Sequence, residues 1–519
     1  MTITESGSNM SGIPLFPADL ERDRPALSVR NAQARVAVVD IGSNSVRLVV
    51  YESLSRTAST VHNEKAICSI GRDIVSTGLL HREGCELALE SLRRFRVLSD
   101  KLGVAVREAV ATAAARDAAN GPEFVRRAEA AWGAPVRVLS GKEEAHFAAQ
   151  GVIAAIPDAD GLAADLGGGS LDMAMVKGGR THEPATLPLG PLRLIDLARG
   201  DTEKARQLVD VELAKLPQLK TFDNRCLYAV GGIWRSLARV DMLRERYPLH
   251  MLQQYTISYG RALDLCNVLA KQSRKSLELM SAVSKRRMEL LPYGAVVLHR
   301  LLMTARFKEI VICANGLREG LLYDRLPEEE RAKDPLIDFA TLENARLSRA
   351  PIHAFEMFQW STPLFGDENA EQRRLRQATC LLSDVGWRRH PDYRARGTYE
   401  EVLYMPFAGA DHRAREFIAT AVYHRYSGDD DMPTDMAVPG LLGKQDSERV
   451  KRVGLAARVA FDLSGSAPGE LPNYRLRLTP SKVVLEVPKR RSVVADETVS
   501  KRLASLASAM GRKAEILVG

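Results

Sequence analysis

The hydrophobic pattern of this chain contains two short segments that resemble each other. The first reads VAVVDIGSNSVRLVV over residues 36–50, and the second reads GLAADLGGGSLDMAMV over residues 161–176. Each consists of an apolar stretch, then Asp-x-Gly with Gly, Ser or Asn, then a second apolar stretch. The pattern predicts two β-hairpins with glycine-rich turns. Two ordinary hairpins are the alternative interpretation, but the shared position of Asp-x-Gly argues against coincidence.

Helical and strand patterns alternate around the first hairpin. We expect helices at 83–102, 122–132 and 140–152, strands at 104–110 and 135–139, and a loop at 112–116. Apolar runs at 228–232 and 311–314 continue the scheme after the second hairpin. Strands interleaved with helices predict α/β domains with partly parallel sheets.

The pattern changes near residues 331–342, after which the chain reads as helices up to about 426. Acidic residues, prolines and a glycine at 429–440 predict a linker. Alternation at 474–478 and 483–487 then predicts a hairpin, and 499–510 an amphipathic helix. The expected division is a flexible extension (1–34), two half-domains (35–160 and 161–335), a helical domain (342–430) and a C-terminal α/β domain (441–519).

The composition narrows the class of protein. Hydrophobic residues make up 45% and charged residues 27% of a chain of 519 residues, which is typical of a globular protein with several cores. No apolar run approaches the roughly 20 residues that span a bilayer, and the polar extension lacks a signal-peptide core, so we expect a cytoplasmic protein. The six cysteines form no C-x-x-C pair, which argues against a structural zinc site. The net charge of +8 favours an anionic partner.

The glycine-rich turns are suited to phosphate chemistry. Glycine permits backbone conformations in which successive amide N–H groups converge on an anion. An Asp at the end of the preceding strand holds a hard cation beside that anion, usually through water. The doubled segment therefore predicts two half-domains that face each other across a phosphate and Mg²⁺ site.

Four motifs in order give a more specific resemblance: DIGSNSVRL (40–48), SGKEEA (140–145), DLGGGS (165–170) and NGLREG (315–320). Together they resemble the exopolyphosphatase / guanosine pentaphosphate phosphohydrolase family. The resemblance implies an α/β fold with duplicated ribonuclease-H-like domains of the actin-like ATPase and sugar-kinase superfold. It also implies, more loosely, an HD-like all-α domain and a small α+β C-terminal domain.

The resemblance implies hydrolysis of the terminal phosphate of inorganic polyphosphate by water, with Mg²⁺, or alternatively Mn²⁺, as cofactor. It implies a processive enzyme and a homodimer, with no membrane or nucleic-acid partner. Guanosine pentaphosphate is the rival substrate. A regulator that binds polyphosphate or a nucleotide without turnover, and a kinase of the same superfold, are the alternative classes.

Two adjacent glutamates separate into different roles. Ser140 followed three residues later by Glu143 predicts a capping box, in which Glu143 accepts from the Ser140 amide. Glu144 lies about 100° further round the helix and is free for other work. It also falls at the family's catalytic position, so we assign Glu144 as the general base. A solvated helix carboxylate is the alternative for Glu144.

The remaining site residues follow from the turns and the resemblance. The metal ligands are expected to be Asp40, Asp165 and Asp172. The phosphate-binding residues are expected to be Ser43, Asn44, Arg47, Arg116, Gly167, Gly168, Gly169, Ser170, Gly231, Gly232 and Arg287.

The chain departs from the family pattern at three positions. Asp172 stands where Glu is usual, and Ile233 stands where a Thr usually follows the paired glycines, which weakens the case for an adenosine pocket. Ser383 replaces the His of the His-Asp pair in the HD-like domain. Nearby histidines keep a second metal site there open as a minor alternative: His353, His390, His412 and His424.

Basic clusters recur in the second half of the chain, among them Arg373, Arg374, Arg376, Arg388, Arg389, Arg394, Arg396, Arg449, Lys451, Arg452, Lys489, Arg490, Arg491, Lys501 and Arg502. A solvated basic surface explains them. A channel for a long polyphosphate chain, built by the domains after about Leu342, is the sharper hypothesis, because many weak contacts retain a polyanion.

Overall fold

The computed structural model describes residues 34–72, 74–272, 287–428, 432–433, 436 and 438–519. The predicted extension up to residue 33, the acidic stretch 429–431 of the predicted linker, and Lys285 and Arg286 beside Arg287 lie outside the described residues.

The first half-domain is built on a mixed sheet with strand order β3-β2-β1-β4-β5. Its strands are β1 (Arg35–Ile41), β2 (Ser45–Tyr51), β3 (Thr60–Ile67), β4 (Val104–Ala111) and β5 (Arg137–Val138), and its helices are α1 (Ile74–Thr77), α2 (Arg82–Lys101), α3 (Ala113–Asp117), α4 (Gly121–Trp132) and α5 (Gly141–Ala155). β1 pairs antiparallel with β2 and parallel with β4. The apolar faces of β1, β2 and β4 pack on α2 and α4 in one core.

The second half-domain repeats this arrangement with strand order β10-β11-β9-β6-β7-β8. Its strands are β6 (Gly161–Leu166), β7 (Leu171–Lys177), β8 (Arg180–Leu187), β9 (Cys226–Val230), β10 (Thr256–Ser258) and β11 (Glu309–Ile312), and its helices are α6 (Pro191–Ala198), α7 (Thr202–Leu213), α8 (Gly232–Arg244), α9 (Tyr259–Ala270), α10 (Leu291–Thr304) and α11 (Leu317–Asp324), with a 3-10 turn at Pro217–Phe222. β6 pairs antiparallel with β7 and parallel with β9, as β1 does with β2 and β4.

The register makes the two hairpins equivalent residue by residue. Asp40 lies opposite Arg47 across β1 and β2, and Asp165 lies opposite Asp172 across β6 and β7. Arg47 and Asp172 therefore hold the same place in the two copies with opposite charges.

Helices and a small sheet form the rest of the chain. The helical region contains α12 (Glu328–Ala332), α13 (Pro335–Leu347), α14 (Pro351–Ser361), α15 (Ala370–Leu382), α16 (Pro391–Leu403), α17 (His412–Ser427) and α18 (Lys444–Ser464), with a 3-10 turn at Thr362–Leu364. The C-terminal sheet has the order β12-β13-β14, built from β12 (Arg475–Leu478), β13 (Lys482–Val487) and β14 (Lys513–Val518), with α19 (Glu497–Ala509) and 3-10 turns at Leu471–Asn473 and Lys489–Val494. A single core joins this sheet to the helical region, across the expected boundary near 430–441.

The helical region contacts the first two half-domains through both apolar and polar groups, and Leu249 of the second half-domain is buried in its core. The Tyr247 hydroxyl and the His412 Nδ1 lie 2.8 Å apart, and the Gly409 amide donates to the Ala155 carbonyl at 2.8 Å. None of the described helices is long and apolar enough to cross a membrane.

Three local predictions were incomplete or wrong. Residues 113–117 form the helix α3 where a loop was expected, because a run of alanines favours helix. The strand expected at 135–139 is confined to Arg137–Val138. The sequence analysis missed β3, whose residues are mostly half-buried or exposed and polar, so it lacks an apolar run.

The HD-like position holds a structural network. Ser383 is fully buried and donates to the Thr379 carbonyl at 2.6 Å, while Asp384 accepts from Arg349 at 2.7 Å. The ring Nε2 of His353 lies 2.7 Å from the Ser464 hydroxyl. In the described part of the chain, no group of three or more His, Cys, Asp or Glu side chains is arranged to hold a metal, so the second metal site has no support.

Candidate active site

The turns of the two equivalent hairpins face each other across a cleft with a volume of about 210 Å³. The cleft brings together most of the residues that the sequence analysis selected: Asp40, Ser43, Asn44, Arg47, Glu144, Asp165, Gly167, Gly168, Gly169, Ser170, Asp172, Gly231, Gly232 and Arg287. Arg116 is the selected residue that does not line the cleft, but it forms an ion pair with Glu144, which does.

The glycine-rich turns present unused donors to the cleft. Within the described residues, several of their backbone N–H groups donate to no protein acceptor: those of Ser43, Asn44, Gly168 and Gly169. The side-chain oxygen of Asn44 accepts from Ser69 at 3.1 Å, which leaves its amide NH₂ as a further donor. Ser43 is buried and the other three residues are half-buried, so these N–H groups form a concentration of unused donors that is suited to an anion.

Gly231 adds a close backbone approach to the same wall. Its φ is +108°, and a Cβ there would lie 2.6 Å from the Leu166 carbonyl oxygen. A side chain at this position would therefore push the β9–α8 turn away from Asp165, whose Oδ1 would lie 3.0 Å from the same Cβ.

The capping box at the start of α5 aims Glu144 into the cleft. The Ser140 amide donates to Glu143 at 2.8 Å, and the Ser140 hydroxyl accepts from the Glu143 amide at 3.3 Å, as predicted. Gly151 allows α5 to approach its neighbour closely, since a Cβ at this position would lie 2.3 Å from the Gly316 carbonyl oxygen. With the helix fixed in this way, Glu144 is only 5% exposed while Glu143 is half-buried.

Arg116 holds the Glu144 carboxylate. Its guanidinium forms an ion pair with Glu144 and also donates to the Leu139 carbonyl at 2.8 Å and to Asp117 at 3.2 Å. Burial raises the pKa of Glu144, the nearby Asp172 raises it further, and Arg116 opposes both. Glu144 is thus a buried carboxylate that is oriented by a cation and accepts a proton readily, as a general base requires.

Three aspartates line the acidic side of the cleft. Asp172 accepts from the Ser170 hydroxyl at 2.7 Å and from the Thr186 hydroxyl at 2.5 Å. Burial raises the pKa of Asp165 to about 7, and the charges of Asp172 and Asp40 add to the effect. Each carboxylate therefore opposes ionisation of its neighbours.

The aspartates fit a Mg²⁺ ion that keeps its waters. No cage of three or more Asp, Glu, His or Cys side chains exists among the described residues, so a cation would need water and substrate oxygens as well. Mg²⁺ is usually bound in that way, by one or two carboxylates and phosphate oxygens. A divalent cation would also relieve the mutual repulsion that raises the pKa of Asp165.

Several cations line the same cleft. Arg47, Lys65 and Arg235 form no ion pair with a carboxylate in the described part of the chain, although Arg47 donates to Asn63 at 2.8 Å and Arg235 to the Ala314 carbonyl at 3.1 Å. Burial lowers the pKa of Lys65 to about 8, together with the charges of Arg287, Arg47 and Arg235. An anion in the cleft would stabilise all of these charges.

Three of the cleft cations were not predicted from the sequence: Lys65, Arg235 and Arg318. Arg318 lies inside the NGLREG motif and pairs with Asp40 at 3.2 Å, so the motif itself carried a usable indication. Lys65 is paired with Arg47 across β2 and β3, and Arg235 lies one turn into α8. Neither has a local sequence pattern that distinguishes it from a surface cation.

Ile233, where the family usually has Thr, packs inward. A Cβ at Gly294 would lie 2.3 Å from its Cγ2 atom, so α8 and α10 approach closely at this point. The side chain contributes an apolar surface to the cleft wall in place of a hydroxyl donor.

Comparison with known proteins decides the family. The model of the Ppx/GppA phosphatase family matches residues 49–329, which is more than half of the chain. The chain belongs to the Ppx/GppA phosphatase family. Ppx/GppA phosphatases are hydrolases, and the model described as exopolyphosphatase, C-terminal, matches residues 338–517.

Solved structures agree with this membership at the level of the fold. An exopolyphosphatase from Cytophaga hutchinsonii superimposes with a TM-score of 0.52 at 24% identity, over 56% of this chain and 96% of that one. An exopolyphosphatase-like protein gives a TM-score of 0.51 at 21% identity, over 56% and 97%. The duplicated mixed sheets are thus the actin-like ATPase type of fold that this Ppx/GppA family shares.

One curated relative has a name that describes regulation and not an enzymatic activity. Retrograde regulation protein 2 of Saccharomyces cerevisiae is 25% identical over 443 residues, which is 75% of this chain and 72% of the yeast protein.

Proposed function

We propose that this Ppx/GppA protein is an exopolyphosphatase that hydrolyses the terminal phosphate of inorganic polyphosphate processively and releases orthophosphate. The observation that carries the proposal is Glu144, a buried carboxylate in the same cleft as unused N–H donors and unpaired cations. A module that only binds phosphates gains nothing from a buried carboxylate beside them, because it repels the ligand.

The reaction asks three things of these residues. Glu144 orients a water molecule and takes its proton as the water oxygen attacks the terminal phosphorus and the anhydride P–O bond to the shortened chain breaks. Arg116 keeps the carboxylate in place. The N–H groups of Gly168 and Gly169 donate to the equatorial oxygens of the terminal phosphate, where charge develops. The cations Arg47 and Arg287 bind the following phosphates of the chain.

The metal ligands that we propose are Asp40, Asp165 and Asp172, holding Mg²⁺ or alternatively Mn²⁺. When bound, the ion would neutralise charge on the phosphoanhydride oxygens. Asp165→Asn should then shift the Mg²⁺ activation midpoint upward, and added Mg²⁺ should partly restore the rate.

Guanosine pentaphosphate is the alternative substrate, because it ends in the same phosphoanhydride group. The name of the yeast relative favours a second alternative, a regulator without turnover. In a regulator, the ion pair with Arg116 would serve only to neutralise the buried Glu144 carboxylate.

A free-phosphate assay separates these functions. Long polyphosphate and guanosine pentaphosphate are offered at matched phosphoanhydride concentration, each with and without Mg²⁺. We expect Mg²⁺-dependent release from both, with polyphosphate the better substrate. A better rate on guanosine pentaphosphate would reverse the ranking, and tight binding of either ligand without phosphate release would show a regulator.

A further inference from the structure

Arg318 is a cation of the cleft whose guanidinium uses few of its donors. It is the second residue of α11 and lines the cleft, with a side chain that is 13% exposed. A guanidinium carries several N–H donors in a fixed fork. Among the described residues, that of Arg318 makes one hydrogen bond, from Nη1 to the Oδ2 of Asp40 at 3.2 Å, and its buried Nε has no partner. Most of the donors of Arg318 are therefore available to another acceptor.

Arg376 in the helical region provides a comparison. Its side chain is buried, and its guanidinium donates to both oxygens of Glu368, to the Phe358 carbonyl and to the Ser361 hydroxyl. Unpaired buried donors cost free energy, so an arginine that only stabilises the fold is expected to pair most of them. Arg318 does not, which favours a role in binding an anion in the cleft.

Arg318 lies near both the acidic and the basic residues of the cleft. Burial raises the pKa of Asp40 and of Asp165, and the positive charge of Arg318 opposes the rise in both. Burial lowers the pKa of Arg47 and of Arg235, and the charge of Arg318 lowers it further. Arg318 thus neutralises part of the charge of the two aspartates, as a divalent cation bound there would also do.

A second carboxylate, Glu319, stands beside Arg318 at the start of α11. Its two oxygens accept from the Gly316 amide at 2.9 Å and from the Tyr51 hydroxyl at 3.1 Å, which fixes its position. The carboxylate lies 3.8 Å from the Arg318 guanidinium, beyond hydrogen-bond distance. Glu319 therefore stabilises the charge of Arg318 without using its donors, and it continues to do so if Asp40 takes another partner.

We infer that Arg318 exchanges partners when the substrate binds: it pairs with Asp40 in the free protein, and it donates to a phosphate oxygen of the substrate when Asp40 is engaged by Mg²⁺. The inference rests on the proposed function for the metal ligands and the substrate. The guanidinium makes the exchange at the end of a flexible side chain, and its fork matches phosphate oxygens. Arg318 should therefore oppose metal binding in the absence of substrate, and it should strengthen substrate binding mainly when Mg²⁺ is present.

The first test is binding of Mn²⁺ alone to the full chain at pH 7, measured by electron paramagnetic resonance without substrate. Arg318→Gln should bind Mn²⁺ about fivefold more tightly than the wild type, because the cation that competes for Asp40 is gone. Lys65→Gln is the matched control, since it removes a cation that acts on Asp40 without pairing with it, and it should change the affinity less than about twofold. An unchanged affinity in Arg318→Gln, or an equal gain in Lys65→Gln, would overturn the exchange.

The second test is binding of tripolyphosphate in a Glu144→Gln background, which prevents cleavage, with and without Mg²⁺. Adding Arg318→Gln should weaken binding about tenfold with Mg²⁺ and less than about twofold without it, because Arg318 then stays with Asp40. Arg318→Lys keeps the positive charge but not the fork, so it should show the same pattern with a smaller loss, and it serves as the test if Arg318→Gln does not fold. Equal losses with and without Mg²⁺ would contradict the exchange.

Neither test needs turnover. A wild type that releases no phosphate would count against the proposed function alone, whereas the Mn²⁺ affinity and the Mg²⁺ dependence of tripolyphosphate binding in the Arg318 variants test the exchange itself.

Discussion

The cations of the cleft and those of the helical region are the same kinds of side chain, but they differ in whether a carboxylate pairs with them. In the cleft, Arg47, Lys65 and Arg235 face each other without a carboxylate partner among the described residues. In the helical region, Arg376 is fully buried and donates to Glu368 at 2.6 Å and to the Phe358 carbonyl at 2.8 Å.

The difference extends to most of the basic clusters in the second half of the chain. Their members form ion pairs with nearby acids: Arg373, Arg374, Arg376, Arg389, Arg396, Arg449, Arg452, Arg491, Lys501 and Arg502. A cation in an ion pair is neutralised within the fold or at its surface. Clustered unpaired cations repel each other and destabilise the protein unless an anion binds between them. The polyphosphate channel after Leu342 stays a prediction, but these pairs leave it fewer available charges than the sequence suggests.

Removing a buried cation of the helical region should have the largest effect. Arg376→Met leaves the Glu368 carboxylate and the Phe358 carbonyl short of donors, so we expect a loss of about 3–5 kcal/mol in the free energy of unfolding. Urea unfolding measures it, with Lys501→Gln as control, because the exposed Lys501–Glu497 pair contributes less than about 0.5 kcal/mol. A loss under about 1 kcal/mol for Arg376→Met would erase the contrast between the two regions.

The next largest effect concerns Glu144. Glu144→Gln should lower kcat for polyphosphate at least about a hundredfold while binding persists, because an amide takes no proton. Glu143→Gln is the matched control, since it should only loosen the start of α5, by about 1 kcal/mol or less. Comparable losses of kcat in the two variants would contradict the division of roles between them.

A cleft cation should affect binding without affecting stability. Arg47→Gln should raise KM for polyphosphate about tenfold, with kcat within about twofold. The substitution removes one charge-assisted contact with the substrate, which contributes roughly 1.4 kcal/mol to binding. The free energy of unfolding should stay the same or rise slightly, since one repulsive cation is gone. A clear loss of stability would place Arg47 with the structural cations.

The smallest effect is a dependence on pH. Burial and neighbouring arginines lower the pKa of Lys65 to about 8, so the side chain is charged below that pH and neutral above it. A higher pH also deprotonates the general base Glu144, so the effect of Lys65 is measured as the ratio of kcat/KM for the wild type to kcat/KM for Lys65→Arg. This ratio should fall severalfold as pH rises through about 8, because Lys65 becomes neutral while the arginine stays charged. A ratio that does not change with pH would show that the charge of Lys65 does not contribute to substrate binding.

Local features of the fold and the site were predictable from the sequence. The two hairpins and the capping box of Ser140 and Glu143 depend on residues close in sequence, and they form as expected. The position of Glu144 in the same cleft as the glycine-rich turns depends on how α5 packs through Gly151. Local sequence does not encode this packing, so only the family resemblance indicated the role of Glu144.

Partner choice was not predictable. Arg376 and Arg47 cannot be told apart by a local sequence pattern, and only the tertiary fold brings Glu368 within ion-pair distance of the first while the second forms no ion pair among the described residues. The phosphate contact expected for Arg116 stays a prediction, and its ion pair with Glu144 was not predicted from the sequence. Charge runs in a sequence report the number of cations and not what neutralises them.

The dependence of polyphosphate binding on salt tests the central claim, that the unpaired cations of the cleft bind the substrate. Binding is measured in Glu144→Gln, so that no cleavage intervenes, and log Kd is plotted against log salt concentration. Adding Arg47→Gln should reduce the slope by about 0.7–0.9, as expected for one lost phosphate contact, whereas adding Arg389→Gln, which removes a cation paired with Glu401, should leave it unchanged. An equal reduction by Arg389→Gln would contradict the account.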